Sequence, residues 1–224
     1  MYKYLLFDLD NTLLDFTKAE RKALHKTFDE FSVPFSDINV SVFKKYNKKY
    51  WELFEEGKIA KEELLVRRFN DFFSEIEINY VDSVKFNSFY LNALSDGTEE
   101  IDHAYELLES LSNYKIAIIT NGVTHTQNER IRKSRLGKFF DKVYISEQIG
   151  YQKPKKEFFD YVFKDLNIKS KDEVLLIGDS ITSDILGGIN YQIDTVWYNP
   201  KHEDSKIKAK YVIKDLMDLL NILK

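Results

Sequence analysis

The chain has no cysteine among its 224 residues. Disulfides and thiolate metal sites are thereby excluded, and the absence points to a cytoplasmic protein. Long apolar runs are also missing. Runs such as Ile116–Ile119 and Val174–Ile177 do not exceed about five residues, whereas a membrane span needs about 20. The opening residues Met1 to Asp8 reach an acid too early for the apolar stretch of a signal peptide. There is no excess of positive charge: 33 Lys+Arg stand against 37 Asp+Glu, a net of -4. No basic field for a nucleic-acid backbone is available, so a small anionic ligand would need its positive partner close at hand. Neither the Gly-x-x-x-x-Gly-Lys-Ser/Thr nor the Gly-x-Gly-x-x-Gly pattern occurs, which removes the phosphate-loop and dinucleotide-binding readings. No internal repeat or biased linker is present. What remains is ordinary globular usage, 43% hydrophobic and 31% charged, in a length that suits one large domain or a domain with an insertion.

Five short apolar and β-branched runs read as strands: Tyr4–Phe7, Ile116–Thr120, Val143–Ser146, Val174–Gly178 and Thr195–Tyr198. They do not alternate apolar with polar, which is the pattern of strands covered on both faces in a parallel sheet. Helical stretches fall between the last four, over Thr124–Arg135, Pro154–Leu166 and Ser183–Tyr191. A short edge strand at Tyr211–Ile213 and a closing helix over Lys214–Leu223 follow. The alternation predicts a doubly wound α/β domain. The first two strands are separated by about 108 residues, far beyond the dozen or so of an ordinary crossover. A helix over Thr98–Leu111 would supply that crossover, leaving residues 15–96 as an insert. The insert shows only amphipathic helical patterns, at Lys18–Phe31, Ser41–Glu56, Lys61–Phe73 and Val81–Leu94. Within it, the aromatic row Phe43, Tyr46, Tyr50, Trp51 and Phe54 reads as helix core in preference to a base-stacking wall.

The chemistry-bearing residues cluster at the strand ends. The first strand runs into Asp8-Leu9-Asp10-Asn11-Thr12, and the second into Thr120-Asn121-Gly122. Lys153-Pro154 follows the third, while the fourth ends in Gly178-Asp179-Ser180, with Asp184 five residues past Asp179. Ligands of open α/β sheets bind at the carboxyl ends of the strands. Any one of these acids alone would read as a turn or helix cap. Together, four carboxylates at one sheet edge would repel unless offset, and a hard divalent cation with oxygen ligands, Mg²⁺, is the natural offset. With Lys153, it would form the local positive charge that an anionic substrate needs.

This constellation resembles the haloacid dehalogenase-like (HAD) superfamily of hydrolases. Asp8-Leu9-Asp10-Asn11-Thr12 looks like its first motif, Thr120 its second, Lys153 its third, and Gly178-Asp179-Ser180 with Asp184 its fourth. The insert is similar to the helical, mobile cap of the first class. The words Asp8 to Phe16, Thr120-Asn121-Gly122 with Gln127, and Ser146-Glu147-Gln148-Ile149-Gly150 with Lys153-Pro154 look most like the bacterial pyrimidine 5′-nucleotidase-like branch. The resemblance implies Asp8 as the nucleophile that takes up phosphorus and Asp10 as general acid and base. It implies Mg²⁺ held by Asp8, the backbone carbonyl of Asp10 and Asp179. Thr120, Asn121 and Lys153 would bind the phosphate, and Asp184 would orient Lys153 or the metal's waters. Asn11 and Thr12 would shape the loop. His125 and Gln127 read as exposed polar positions.

The expected function is a Mg²⁺-dependent phosphomonoesterase acting on a small phosphorylated substrate, with a nucleoside monophosphate 5′-nucleotidase as the leading choice. A sugar-phosphate phosphatase or phosphomutase, a haloacid dehalogenase and a non-catalytic binding protein of the same fold remain as alternatives. A dehalogenase has no alcohol leaving group requiring Asp10, and a binding protein has no need of a nucleophile. Neither a nucleic-acid polymer nor a membrane is an expected partner.

Overall fold

The computed structural model describes all 224 residues. They divide into two compact units, Met1–Phe16 with Thr98–Lys224, and Thr17–Gly97. In chain order, strand β1 (Tyr4–Phe7) is followed by four helices, α1 (Phe16–Glu30), α2 (Asp37–Glu55), α3 (Lys61–Glu75) and α4 (Ser83–Leu94). The remainder runs α5 (Ala104–Ser110), β2 (Lys115–Thr120), α6 (Thr124–Lys133), β3 (Lys142–Ile145), α7 (Ser146–Ile149) and α8 (Lys156–Asp165). It ends with β4 (Val174–Gly178), α9 (Leu186–Tyr191), β5 (Asp194–Tyr198), β6 (Tyr211–Ile213) and α10 (Leu219–Ile222).

All six strands pair in parallel in the order β3-β2-β1-β4-β5-β6. The expected doubly wound sheet is therefore present, with β1 at its centre between β2 and β4. Side chains alternate between two apolar layers. Leu5, Phe7, Ile116, Ile118, Leu175 and Ile177 pack with Leu107 and Leu108 of α5 on one face. Leu6, Ala117, Ile119 and Leu176 pack with Phe158, Phe159 and Val162 of α8 on the other. Burial on both sides is why these strands read as unbroken apolar runs.

Three expectations about the elements need correction, the first being the closing helix expected over Lys214–Leu223, which is a 3₁₀ turn at Leu216–Asp218 running into the four-residue α10. The helix expected over Thr98–Leu111 covers only Ala104–Ser110. Its first part is instead extended, with Asp15 N–H bonding Glu99 O at 2.7 Å and Ile101 N–H bonding Leu13 O at 3.0 Å. His103 then takes a left-handed φ of 65° before the helix begins. The helix expected from Pro154 begins at Lys156, because a turn closed by Lys155 N–H and Gln152 O, 2.8 Å, occupies the preceding positions.

The helical unit has its own core. Phe43, Phe69, Phe72 and Phe86 are fully buried, and Phe43 stacks on Phe69 at 5.0 Å between centroids. Phe43, Tyr50 and Phe54 of the aromatic row are accordingly interior residues, as expected. Side chains of Ser36 and Asp82 cap α2 and α4 by accepting backbone N–H groups. A polar chain threads this apolar interior. Asn47 donates to Glu20 at 3.0 Å, and Arg68 donates to Asn47 at 2.7 Å and to Asn87 at 2.8 Å, so all four helices contribute one member. No helix of the protein is long and apolar enough to cross a membrane.

Candidate active site

The fold places the strand-end residues along one edge of the sheet. Asp8 directly follows β1, and its N–H continues the ladder to Ile177 O at 2.8 Å. Lys153 lies in the loop before α8, Asp179 follows β4, and Asp184 sits in the π-helical turn Ile181–Ile185. These distant segments meet at one ammonium. Lys153 Nζ donates to Asp8 Oδ1 at 2.7 Å, to Asp184 Oδ1 at 2.6 Å and to Ile119 O at 2.9 Å. All three protons of a buried ammonium are thereby used, the condition for burying a lysine at tolerable cost. Asp184 also accepts Ser180 N–H at 3.1 Å through Oδ2. Gly178 makes this approach possible, since a Cβ there would lie 2.2 Å from that oxygen.

One oxygen each from Asp8, Asp179 and Asp184 lie within 4.8 Å of one another. Three carboxylates thus share one cation, and the electrostatics record the shortfall. The Asp8 carboxyl is pushed up to about 7, mainly by burial; Lys153 pulls it down, while Asp184 and Asp10 raise it. Asp179 is raised well above the usual carboxylate range by burial and by repulsion from Asp8 and Asp184. Burial alone would lower the Lys153 ammonium, but Asp184 and Asp8 outweigh it and hold it above its ordinary value. A buried all-oxygen donor set with uncompensated negative charge fits a hard divalent cation. Asp184 belongs to this triad, yet both of its oxygens already receive hydrogen bonds, so its clearest task is to hold Lys153.

That arrangement has a thermodynamic consequence. The folded value of Asp8 lies above its ordinary 3.8, so the stabilisation this shift represents is fully present below about pH 4 and is lost as pH rises through 7. Asp179 shifts in the same direction. Chelated protein should therefore melt at a lower temperature at pH 8 than at pH 5, and added Mg²⁺ should raise the melting temperature more at pH 8. Equal Mg²⁺-induced shifts at the two pH values in thermal denaturation would contradict this account.

The remaining expected residues are also here. Thr120 is buried, and its hydroxyl accepts Gly122 N–H at 3.1 Å and Gln127 Nε2 at 2.8 Å. With both lone pairs occupied, its own proton is left to donate. The Asn121 side chain is committed to the Lys153 main chain, donating to its carbonyl and accepting its N–H, each at 2.9 Å. Asn11 adopts the left-handed φ of 56° that asparagine tolerates, shaping the loop as expected. Thr12 is buried, with Oγ1 3.5 Å from Asp179 Oδ1. Asp10 stands apart from the lysine cluster, its two oxygens bonded to Gln127 and Arg130.

His125 is exposed as expected, but Gln127 is not. It is 1% exposed, because α6 turns that face toward the strand ends. Two residues escaped the sequence reading: Arg130, and Trp197, whose indole N–H holds the Asp179 carbonyl at 2.9 Å. The available signal was the spacing Gln127–Arg130, one helical turn apart and directly after Thr120-Asn121-Gly122.

Comparison with known proteins agrees with this geometry. The haloacid dehalogenase-like hydrolase family profile matches residues 5–198. The chain belongs to this family, as an enzyme of its phosphatase type. It is 39% identical to the HAD-hydrolase YfnB of Bacillus subtilis, over 99% of this chain and 95% of that protein. A crystal structure of YfnB bound to magnesium, described as revealing interdomain movement, superposes with a TM-score of 0.95, covering 99% of this chain and 98% of that one. The pyrimidine 5′-nucleotidase PynA of Streptococcus pneumoniae is 39% identical, over 98% of this chain and 95% of its own length. The pyrimidine 5′-nucleotidase YjjG of Escherichia coli is 32% identical, over 99% and 98%.

Proposed function

We propose that the protein is a Mg²⁺-dependent phosphomonoester hydrolase that works through an aspartyl-phosphate and acts on nucleoside monophosphates, the pyrimidine ones foremost. The observation that carries this reading is the division of the acids. Asp8 is buried against Lys153, whereas Asp10, two residues on, is held separately with its carboxyl 27% exposed. One carboxylate is placed as a nucleophile, the other for proton transfer.

In the first half-reaction, a carboxylate oxygen of Asp8 forms a bond to phosphorus as the ester P–O bond breaks. Asp10 gives its proton to the departing alcohol oxygen. In the second half-reaction, ionised Asp10 takes a proton from water as the water oxygen bonds to phosphorus. The bond from phosphorus to Asp8 then breaks, releasing phosphate and restoring both carboxyl groups. Lys153 holds Asp8 in place and offsets its charge, with Asp184 fixing the ammonium from its other side. Thr120 directs its hydroxyl proton to a phosphoryl oxygen. Asp8, Asp179 and the Asp10 carbonyl would hold Mg²⁺, which supplies the positive charge that draws in a phosphate dianion and steadies the transferring oxygens.

The similarity to two pyrimidine 5′-nucleotidases across nearly their full length supports the substrate class. The net charge of -4 supports a small substrate over a nucleic-acid polymer, and the absence of cysteine supports a cytoplasmic location. In a screen of purified protein with Mg²⁺, nucleoside monophosphates should exceed sugar phosphates by at least about tenfold in kcat/KM, ~1.4 kcal/mol of discrimination. Chelation should stop hydrolysis of every substrate. Hexose phosphates equalling the nucleotides would overturn the substrate class, and full activity after exhaustive chelation would overturn the metal dependence.

A further inference from the structure

Asp10 has two tasks in the proposed cycle, and the carboxyl that performs them is not left to rotate. Its Oδ2 accepts Gln127 Nε2 at 2.8 Å, and its Oδ1 accepts Arg130 Nη1. The two donors are themselves joined, Arg130 Nη1 lying 3.1 Å from Gln127 Oε1. Gln127 Nε2 also reaches Thr120 Oγ1 at 2.8 Å. One amide group therefore sets both the Asp10 carboxyl and the Thr120 hydroxyl. Both α6 side chains are buried, Gln127 at 1% and Arg130 at 0% exposure, although Asp10 itself is partly open. Burying a guanidinium and an amide costs free energy, and an apolar pair on this helix face would pack against the sheet without that cost. Gly122 makes room for the arrangement, since a Cβ there would meet Gln127 Nε2 at 2.4 Å.

We propose that Gln127 and Arg130 are positioning residues for Asp10, holding its carboxyl in the one orientation from which it exchanges protons with the ester oxygen and then with water. Gln127 serves a second purpose by aiming the Thr120 hydroxyl at the phosphate. The inference rests on the assignment of Asp10 as general acid and base, and it adds the residues that make that assignment work. Neither side chain touches the reacting atoms. In the first half-reaction their effect through Asp10 is felt where the departing oxygen needs a proton and vanishes where the leaving group departs without one. In the second, where Asp10 takes a proton from water, and through Thr120, it is the same for every ester.

The test is kinetic and uses the whole protein with saturating Mg²⁺. Phosphate monoesters are compared along a series from dinitrophenyl, which leaves unaided, through phenyl to alkyl alcohols, which need a proton. Asp10→Asn serves as the reference, and Arg130→Met and Gln127→Met are the probes, each checked for folding by circular dichroism. Arg130→Met and Gln127→Met should each lower kcat/KM for the alkyl ester by about tenfold or more, a fraction of the 10²–10⁴ that a general acid contributes. In kcat/KM the dinitrophenyl ester should lose less than about threefold with Arg130→Met, and with Gln127→Met only the share, equal for every ester, that comes through Thr120; kcat falls on every ester where hydrolysis of the phosphoprotein is limiting. Placed on the Asp10→Asn background, Arg130→Met should add no further loss, since a positioning residue has no effect once its client is gone. Arg130→Lys should recover part of the alkyl activity, because one cationic donor to Oδ1 is restored. If kcat/KM of Asp10→Asn falls equally on all esters, the general-acid role of Asp10 falls and this proposal with it. If kcat/KM of Asp10→Asn depends steeply on the leaving group but both α6 probes lose kcat/KM uniformly, or Arg130→Met adds to its loss, the proposal alone falls, and the two residues are structural.

Discussion

Asp8→Asn should leave the protein folded and without turnover, a loss on the order of 10⁴–10⁶ in kcat, as expected when a nucleophile is removed. The substitution is nearly isosteric, and Lys153 keeps its bonds to Asp184 and Ile119. No cavity opens, and one acid leaves a site that holds too many. The chelated variant should therefore melt at or above the temperature of the parent near pH 8. Acid quenching during turnover should trap phosphoprotein from the parent and none from the variant. Near-parental activity in Asp8→Asn would show that another group attacks phosphorus.

Lys153→Ala carries the other large effect, and here catalysis and stability fall together. Without the ammonium, Asp8 and Asp184 are buried acids with no cation between them, and breaking such a pair costs about 3–5 kcal/mol. The loss in kcat should be on the order of 10²–10³, comparable with removing one donor that stabilises transferring charge. The two losses separate by pH. Protonation of the stranded Asp8 relieves repulsion, so the variant's deficit in thermal stability should shrink from pH 8 to pH 5 while its catalytic deficit persists. A variant as stable as the parent at pH 8 in chelator would mean that the lysine offsets little of the buried charge.

Much of this was legible because the parts that make the site lie where the chain's simplest signals are strongest. Strands such as Val174–Gly178 are buried on both faces and read as apolar blocks, and the acids stand directly after them. The position of Lys153 between β3 and α8 is equally plain once the sheet is recognised. Helix α6 was harder to read, because amphipathic patterns are sought through apolar residues, and its buried face is made of Thr126, Gln127 and Arg130. A polar face pressed against an active site has the same composition as one in water. The extended run before His103 was hidden for another reason. Its partners, Leu13 and Asp15, lie more than 80 positions away, and no local preference encodes them. Trp197 likewise acts through the Asp179 carbonyl, a main-chain group that carries no residue-specific mark.

The central place of β1 in the sheet also bears on how the chain is made. During synthesis β1 emerges ahead of both of its neighbours, β2 and β4, with the whole helical unit between it and the first of them. The helical unit, by contrast, is one continuous stretch, and every partner in its aromatic core is present in the chain once Gly97 has been added. Domains form as units in the order in which they are translated. The order is inverted here, because the later-starting segment is the first that can be completed. The nascent chain must keep its earliest strand, with Asp8 at its end, in waiting until Thr120 and finally Gly178 have been added. Asp8 is thus translated before the segments that surround it, and its surroundings are complete only when the last of them has been added.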